Sequence, residues 1–165
     1  MSNTSAELVA ASGARTSRAS RRRTRSQFLV TADETSLTEL ETVLATLPMC
    51  ATGRVFVEVA DASQIAVLDV PSRMTITWLD RSRRSGTPGS STSCTVGAAL
   101  TRAVTGWADE MLCDEDSRHE AERTKVYLLG GFLGTADILD HLTDRLDVPA
   151  ERIHTPERFG LITER

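Results

Sequence analysis

Apolar and polar positions alternate along most of this chain in short blocks. Phe28-Leu29-Val30 is an apolar run, the stretch Thr31–Ser36 is polar, and Leu37, Leu40, Val43, Leu44 and Leu47 then recur at helical spacing. That order reads as strand, tight turn, helix. Ser36 followed by Glu39 has the form of a capping box, and Pro48, which lacks an N–H for the helical ladder, ends the helix. Arg54–Ala60 and Met74–Leu79 are two further β-rich runs. Residues Arg81–Ser93 are mainly Arg, Ser, Gly, Thr and Pro, which predicts a mobile surface loop. Behind it Val96, Leu100, Ala103, Val104, Trp107 and Met111 trace one face of a long amphipathic helix. Asp114–Glu122 is polar and loop-like. Lys125–Leu129 is a fourth strand that runs into Gly130-Gly131. Ile138, Leu139, Leu142 and Leu146 mark the next helix, with Thr135 as its N-cap, and Arg152–His154 makes a short fifth strand.

Strands that alternate with helices imply right-handed crossovers, so the fold class is α/β, a small doubly wound parallel sheet of about five strands. Ligands in such sheets lie across the carboxyl ends of the strands, where the strand order reverses. Two turns meet that condition, Thr31–Ser36 and Gly130–Thr135.

Length and composition narrow this picture. The 165 residues leave room for one domain, and with only 4% aromatic residues the core must be built from Leu, Val, Ala and Ile. Residues 1–26 hold six arginines against one glutamate, a formal charge of +5, with little apolar surface to bury. They are expected to be a disordered Arg/Ser-rich tail ahead of a folded domain over 27–165. Since the whole chain carries −4, that domain carries −9, which makes nucleic acid an unfavourable partner. No apolar run is long enough for a membrane span, and the amino-terminal region has no secretory pattern. Cys50, Cys94 and Cys113 are odd in number and far apart, which fits reduced thiols in the cytoplasm.

Several residues bear on chemistry. Thr31–Ser36 can present free N–H groups to a pyrophosphate at a helix N-terminus, although Asp33 and Glu34 already put negative charge there and are equally suited to capping the helix. Gly130, Gly131 and Gly134 let backbone approach a ligand closely, or serve an ordinary turn with positive φ. Glu58 and Asp61 lie where a ribose-binding acid is expected, or are simply solvated. Trp78 alternates with Ile76 and reads first as core. Arg81, Arg83 and Arg84 can meet a 2′-phosphate or another anionic ligand, or belong to a solvated loop. Cys94 reads as a half-buried small residue. Cys113, Asp114, Asp116 and His119 match no common ligand spacing, so no metal site is assigned, and nothing near His141 or His154 in sequence orients either as an acid or base.

Three ordered motifs carry a resemblance to a known family. LVTADETSLTELETVLATLP, with Asp33, Glu34, Thr35 and Leu37, is followed by GRVFVEVAD, with Glu58, Val59, Ala60 and Asp61, and then by a strand ending in Trp78, Leu79 and Arg81. Together they resemble the C-terminal domain of siderophore-interacting proteins, the flavin-dependent ferric-siderophore reductases. The resemblance spans roughly 27–160 and implies a ferredoxin-reductase-like nucleotide-binding domain that takes NADPH or NADH. It implies Ala32, Asp33, Glu34, Thr35, Trp78, Arg81, Gly130 and Gly131 as cofactor-binding positions, and it names no catalytic residue. Ala32 stands where the family has Gly. Leu129-Gly130-Gly131-Phe132 replaces A-G-E-A, and the terminal motif keeps only Arg158 and Gly160. Family members bind FAD in a preceding β-barrel, which these residues do not contain. The expectation is that this chain alone binds no flavin and acts in iron acquisition with a separately encoded flavin-binding reductase domain and a ferric siderophore. The alternative is a non-catalytic binding or regulatory protein that retains the fold.

Overall fold

Five short β-runs, each followed by a turn and most by a helical face, pair in the computed structural model into one parallel sheet in the order β3-β2-β1-β4-β5. The structure describes residues 27–86, 89, 92–112 and 123–162. The strands are β1 Gln27–Asp33, β2 Thr52–Val59, β3 Arg73–Asp80, β4 Thr124–Leu128 and β5 Ile153–His154. Three helices accompany them: α1 Leu37–Thr46, α2 Ala98–Leu112 and α3 Phe132–Asp140, the last continuing into a π-helical turn over His141–Arg145. The chain moves outward from β1 to β3, then returns to the other side of β1 to lay down β4 and β5. The strand order therefore reverses between β1 and β4.

Strand alternation sorts the core into two layers. Phe28, Val30, Ala32, Val55, Val57, Val59 and Met74 face α1, with Leu40 and Leu44 buried against them. Leu29, Phe56, Leu79, Val126 and Leu128 face the other way, toward α2 and α3, and meet Leu100, Val104, Ala108, Ile138 and Leu142. Gly53 opens β2 at φ 144°, and a Cβ there would fall 1.8 Å from the Phe28 carbonyl oxygen. Only glycine permits β1 and β2 to pair so closely at that end. A second close approach joins the two helices of the lower layer, where a Cβ on Gly97 would lie 3.5 Å from Gly134 Cα. No helix among the described residues is long and apolar enough to cross a membrane.

Several local expectations change. β1 runs on through Asp33, which pairs with Glu58, so the first turn is only Glu34–Ser36. The ladder with β2 holds these polar residues in strand conformation. Ser36 is the N-cap residue of α1 but makes no capping hydrogen bond, because its hydroxyl accepts from the Asp33 N–H at 2.9 Å. Glu39 pairs with Arg158 at 2.8 Å and completes no capping box. α2 starts at Ala98, which leaves Val96 outside it and exposed. α3 starts at Phe132 with Gly131 as N-cap, while the Thr135 hydroxyl donates back to the Gly130 carbonyl at 3.2 Å. The two ends of the expected loop after β3 are anchored, with Arg81–Arg83 in a 3-10 turn, Ser85 bridged to Ser93, and Arg102 of α2 donating to the Gly86 and Ser85 carbonyls, while residues 87, 88, 90 and 91 lie outside the described residues. The expectations for residues 1–26, the polar loop 114–122 and Cys113 lie outside the described residues.

Candidate functional site

The carboxyl edge of the sheet gathers the residues singled out from the sequence. Ala32 and Asp33 end β1, Glu34 and Thr35 form the turn after it, Trp78 and Arg81 lie at the end of β3 and just beyond, and Gly130-Gly131 join β4 to α3. Ala32 is buried against the α1 layer. Trp78 is half-buried on that same face, packed beside Ile76, so it contributes to the core without being enclosed by it.

Asp33 occupies the reversal point. Its Oδ1 accepts from the Thr35 N–H at 2.9 Å and the Thr35 hydroxyl at 2.7 Å, and lies 3.2 Å from the Ser36 hydroxyl. Its Oδ2 accepts from the Gly131 N–H at 2.7 Å, across the gap between β1 and β4. One buried carboxylate thus holds both candidate turns together. Neither Gly130 nor Gly131 has positive φ, so their bareness serves packing. A Cβ on Gly130 would meet Leu100 Cδ2 at 3.1 Å, and one on Gly131 would meet Asp33 Oδ2 at 3.3 Å.

Glu58 does the equivalent task one strand away. It follows Phe56 on the α2 face of β2, a position that alternation assigns to the core, and its side chain is 0% exposed. Its Oε1 accepts from the Gly97 N–H at 2.7 Å and its Oε2 from the Leu100 N–H at 2.8 Å, so it caps α2 from outside that helix. Burial of this charge is tolerable because every lone-pair direction that matters has a donor. A solvated Glu58 is excluded by this geometry.

Arg81 completes the cluster. Its Nη2 and Nη1 donate to the two carboxylate oxygens of Glu34 at 2.6 and 2.9 Å, and Nη1 also reaches Glu58 Oε1 at 3.0 Å. The Arg81 side chain is 12% exposed and that of Glu34 20%. Hydrogen bonding by Glu34 is the largest influence on the guanidinium and raises its pKa above the ordinary arginine range; desolvation opposes that rise, and Glu58 adds to it. The turn after β1, the end of β2, the start of the β3 loop and the N-terminus of α2 are therefore cross-linked by one cation between two carboxylates. Farther out, Asp61 accepts from the Ser63 hydroxyl and amide, which hold its carboxyl below the usual range.

Two helix N-termini remain open at the same edge. The first-turn N–H groups of α1 (Leu37, Thr38, Glu39) and α3 (Phe132, Leu133, Gly134) have no acceptor among the described residues. Both ends point their dipoles at the reversal point and suit an anionic group. The chain's C-terminal turn stands beside them: Phe159 packs edge-on against Phe132 at 5.5 Å, and Arg158 lies over the Phe159 ring while pairing with Glu39.

Other candidates are elsewhere. His141 has an orienting partner in space, Asp109 of α2 at 2.8 Å, 32 positions away in the chain, and His154 stacks on Tyr127. Cys94 is buried with Arg102 Nη2 3.5 Å from its sulfur. Among the described residues no three His, Cys, Asp or Glu side chains gather as metal ligands. The Asp33–Gly131 link and the capping of α2 by Glu58 were missed from sequence. The available signal was a glutamate at an inward position of a buried strand, which demands donors.

The family model described as Siderophore-interacting protein matches residues 25–156. Among solved structures, the siderophore-interacting protein SipS from Aeromonas hydrophila is similar at 17% identity and a TM-score of 0.57, with 79% of this chain and 49% of that one covered. A siderophore utilization protein from T. fusca is 27% identical, with a TM-score of 0.56 and coverage of 79% and 43%. A mutant ferredoxin-NADP+ reductase from Plasmodium falciparum, solved with 2'P-AMP, shares the fold at 14% identity and a TM-score of 0.50, with 80% and 52% covered. The chain thus spans about half the length of the solved structures it matches. No curated protein matches the sequence.

Proposed function

The chain belongs to the siderophore-interacting protein family, and from that premise we propose that it is the nicotinamide-nucleotide side of a ferric-siderophore reductase whose flavin is held by another domain. The observation that carries this reading is the pair of open helix N-termini, Leu37–Glu39 and Phe132–Gly134, which begin on opposite faces of the sheet at the carboxyl ends of β1 and β4, where the strand order reverses. The likeness to a ferredoxin-NADP+ reductase that was solved with 2'P-AMP supports the same ligand class.

The residues fit such a ligand in part. The N–H groups of Phe132, Leu133 and Gly134 are free to take a pyrophosphate, whereas the Gly131 N–H is already taken by Asp33. Phe159 and Phe132 offer an aromatic surface next to those donors, in place of the larger family motif. Bound there, the nucleotide would supply a hydride to a flavin, whose electrons then pass to ferric iron. The chain's own contribution is to bind and orient: amides hold the phosphates, Asp33 fixes the distance between the two turns, and Arg81 fixes the turn after β1. Membership in this family also supports a role in iron acquisition, with a ferric siderophore as the final electron acceptor.

One observation favours a second reading, a binding or regulatory protein that keeps the fold without catalysis. Asp33 and Glu58 fill from within the protein two places where an anionic ligand would otherwise lie. Amide NMR with NADH separates the two. The redox reading expects shifts at Asp33–Ser36 and Gly130–Gly134 together, with an affinity no tighter than tens of micromolar, roughly −6 kcal/mol. It also expects reduction of a ferric chelate only when a flavin-loaded reductase domain is added. If millimolar nucleotide moves neither turn, the redox reading is lost and the non-catalytic one stands.

A further inference from the structure

We infer that the Glu34–Arg81–Glu58 cluster makes this site discriminate against a 2′-phosphate, so that the chain takes NADH in preference to NADPH. The inference rests on the nucleotide reading above and concerns the ribose end of that same site. In parallel α/β sheets an acid at the end of the second strand addresses the ribose hydroxyls, while a nearby arginine accommodates a 2′-phosphate. This chain has both residue types in those places, and they are bonded to one another.

Glu58 ends β2 and cannot turn outward, because its two oxygens are committed to the Gly97 and Leu100 amides in a fully buried site. Arg81 cannot turn outward either without breaking the paired contacts to Glu34 at 2.6 and 2.9 Å and the one to Glu58 at 3.0 Å. The cluster holds two carboxylates and one guanidinium, which leaves a negative charge, and Glu34 is its more exposed member. Asp80 ends β3 next to Arg81 in the chain, and Asp61 follows the end of β2 by two residues. The other local cations, Arg83 in the 3-10 turn and Arg84 just after it, are exposed, and Arg83 is already 3.5 Å from Asp80. A phosphate monoester carries about −1.5 to −2 at pH 7. At this place it would meet excess carboxylate and an arginine three of whose five N–H groups are already bonded to carboxylates. A ribose hydroxyl, in contrast, can donate to Glu34 with the cluster intact.

The test measures dissociation constants of the full chain for NADH and NADPH by calorimetry, in the wild type and in Glu34→Gln. The wild type should bind NADH about tenfold more tightly, a difference of ~1.4 kcal/mol. Glu34→Gln balances the cluster's charge and leaves Arg81 paired with Glu58, so the preference should shrink to about threefold or less, mainly through tighter NADPH binding. Equal or tighter binding of NADPH by the wild type overturns the inference while leaving the nucleotide reading in place. An unchanged ratio in Glu34→Gln overturns the role given to the cluster. If neither nucleotide binds at millimolar concentration, the nucleotide reading itself falls, and this inference with it.

Discussion

Removing the Glu58 carboxylate should be among the most damaging single changes outside the apolar core. The side chain accepts three hydrogen bonds, from Arg81 Nη1 and from the Gly97 and Leu100 amides, at 3.0, 2.7 and 2.8 Å. Glu58→Ala leaves two helix amides and one edge of a guanidinium without an acceptor where water has no access. Loss of a helix cap costs about 0.5–2 kcal/mol, and breaking a buried charged pair from one side costs about 3–5 kcal/mol. The two estimates describe the same carboxylate and overlap, so the net expectation is about 3–5 kcal/mol. Domain stabilities commonly lie at about 5–15 kcal/mol, so this is a large share. At this size each kcal/mol moves Tm by about 3–5 °C, and the variant should melt roughly 10–20 °C lower. Glu58→Gln keeps the shape and lets one oxygen serve two donors, but its NH2 then faces a remaining N–H, for a cost of about 2 kcal/mol. Urea unfolding followed by circular dichroism, with unchanged m, gives both values. Losses within 1 kcal/mol of each other and of wild type would falsify the capping role, since α2 would then be satisfying its amides some other way.

Two stability predictions bracket that one. Gly53→Ala would force a Cβ to within 1.8 Å of the Phe28 carbonyl oxygen, so the β1–β2 pairing must open at its start; either no folded protein is recovered or urea unfolding shows a loss above ~3 kcal/mol. Arg158→Ala removes a pair with Glu39 in which both side chains are about half exposed. The same assay should show less than ~1 kcal/mol, and a larger loss would mean that the C-terminal turn is integral to the core.

How much of this could be read in advance differs element by element. The β-runs at Phe28, Arg54, Met74 and Lys125, and the helical faces led by Leu40, Leu100 and Ile138, were legible because period-2 and period-3.6 patterns record which side of each element is buried. The parallel α/β class followed from their alternation, and the motifs around Asp33, Glu58 and Trp78 pointed to the family that the match over 25–156 confirms. The boundaries were less legible. Thr31, Ala32 and Asp33 look like turn residues locally, yet the ladder to β2 keeps them extended.

Side-chain destinations across the sheet edge were decided by tertiary structure alone. Asp33 and Gly131 are 98 positions apart, and Arg81 is 47 from Glu34 and 23 from Glu58. Local sequence holds no record of such distances, because they arise only when strands β3, β2, β1 and β4 align their carboxyl ends. The sequence by itself determined the elements and most of their apolar faces, since burial of apolar surface depends on spacing along one element, but not that Val96 stays outside or that Glu58 goes in. The structure decided that one of its acids, Glu58, caps a helix from outside, that another, Asp33, ties two turns together, and that its best-placed arginine is already paired. Electrostatic partners are chosen by proximity in space, which the fold alone supplies.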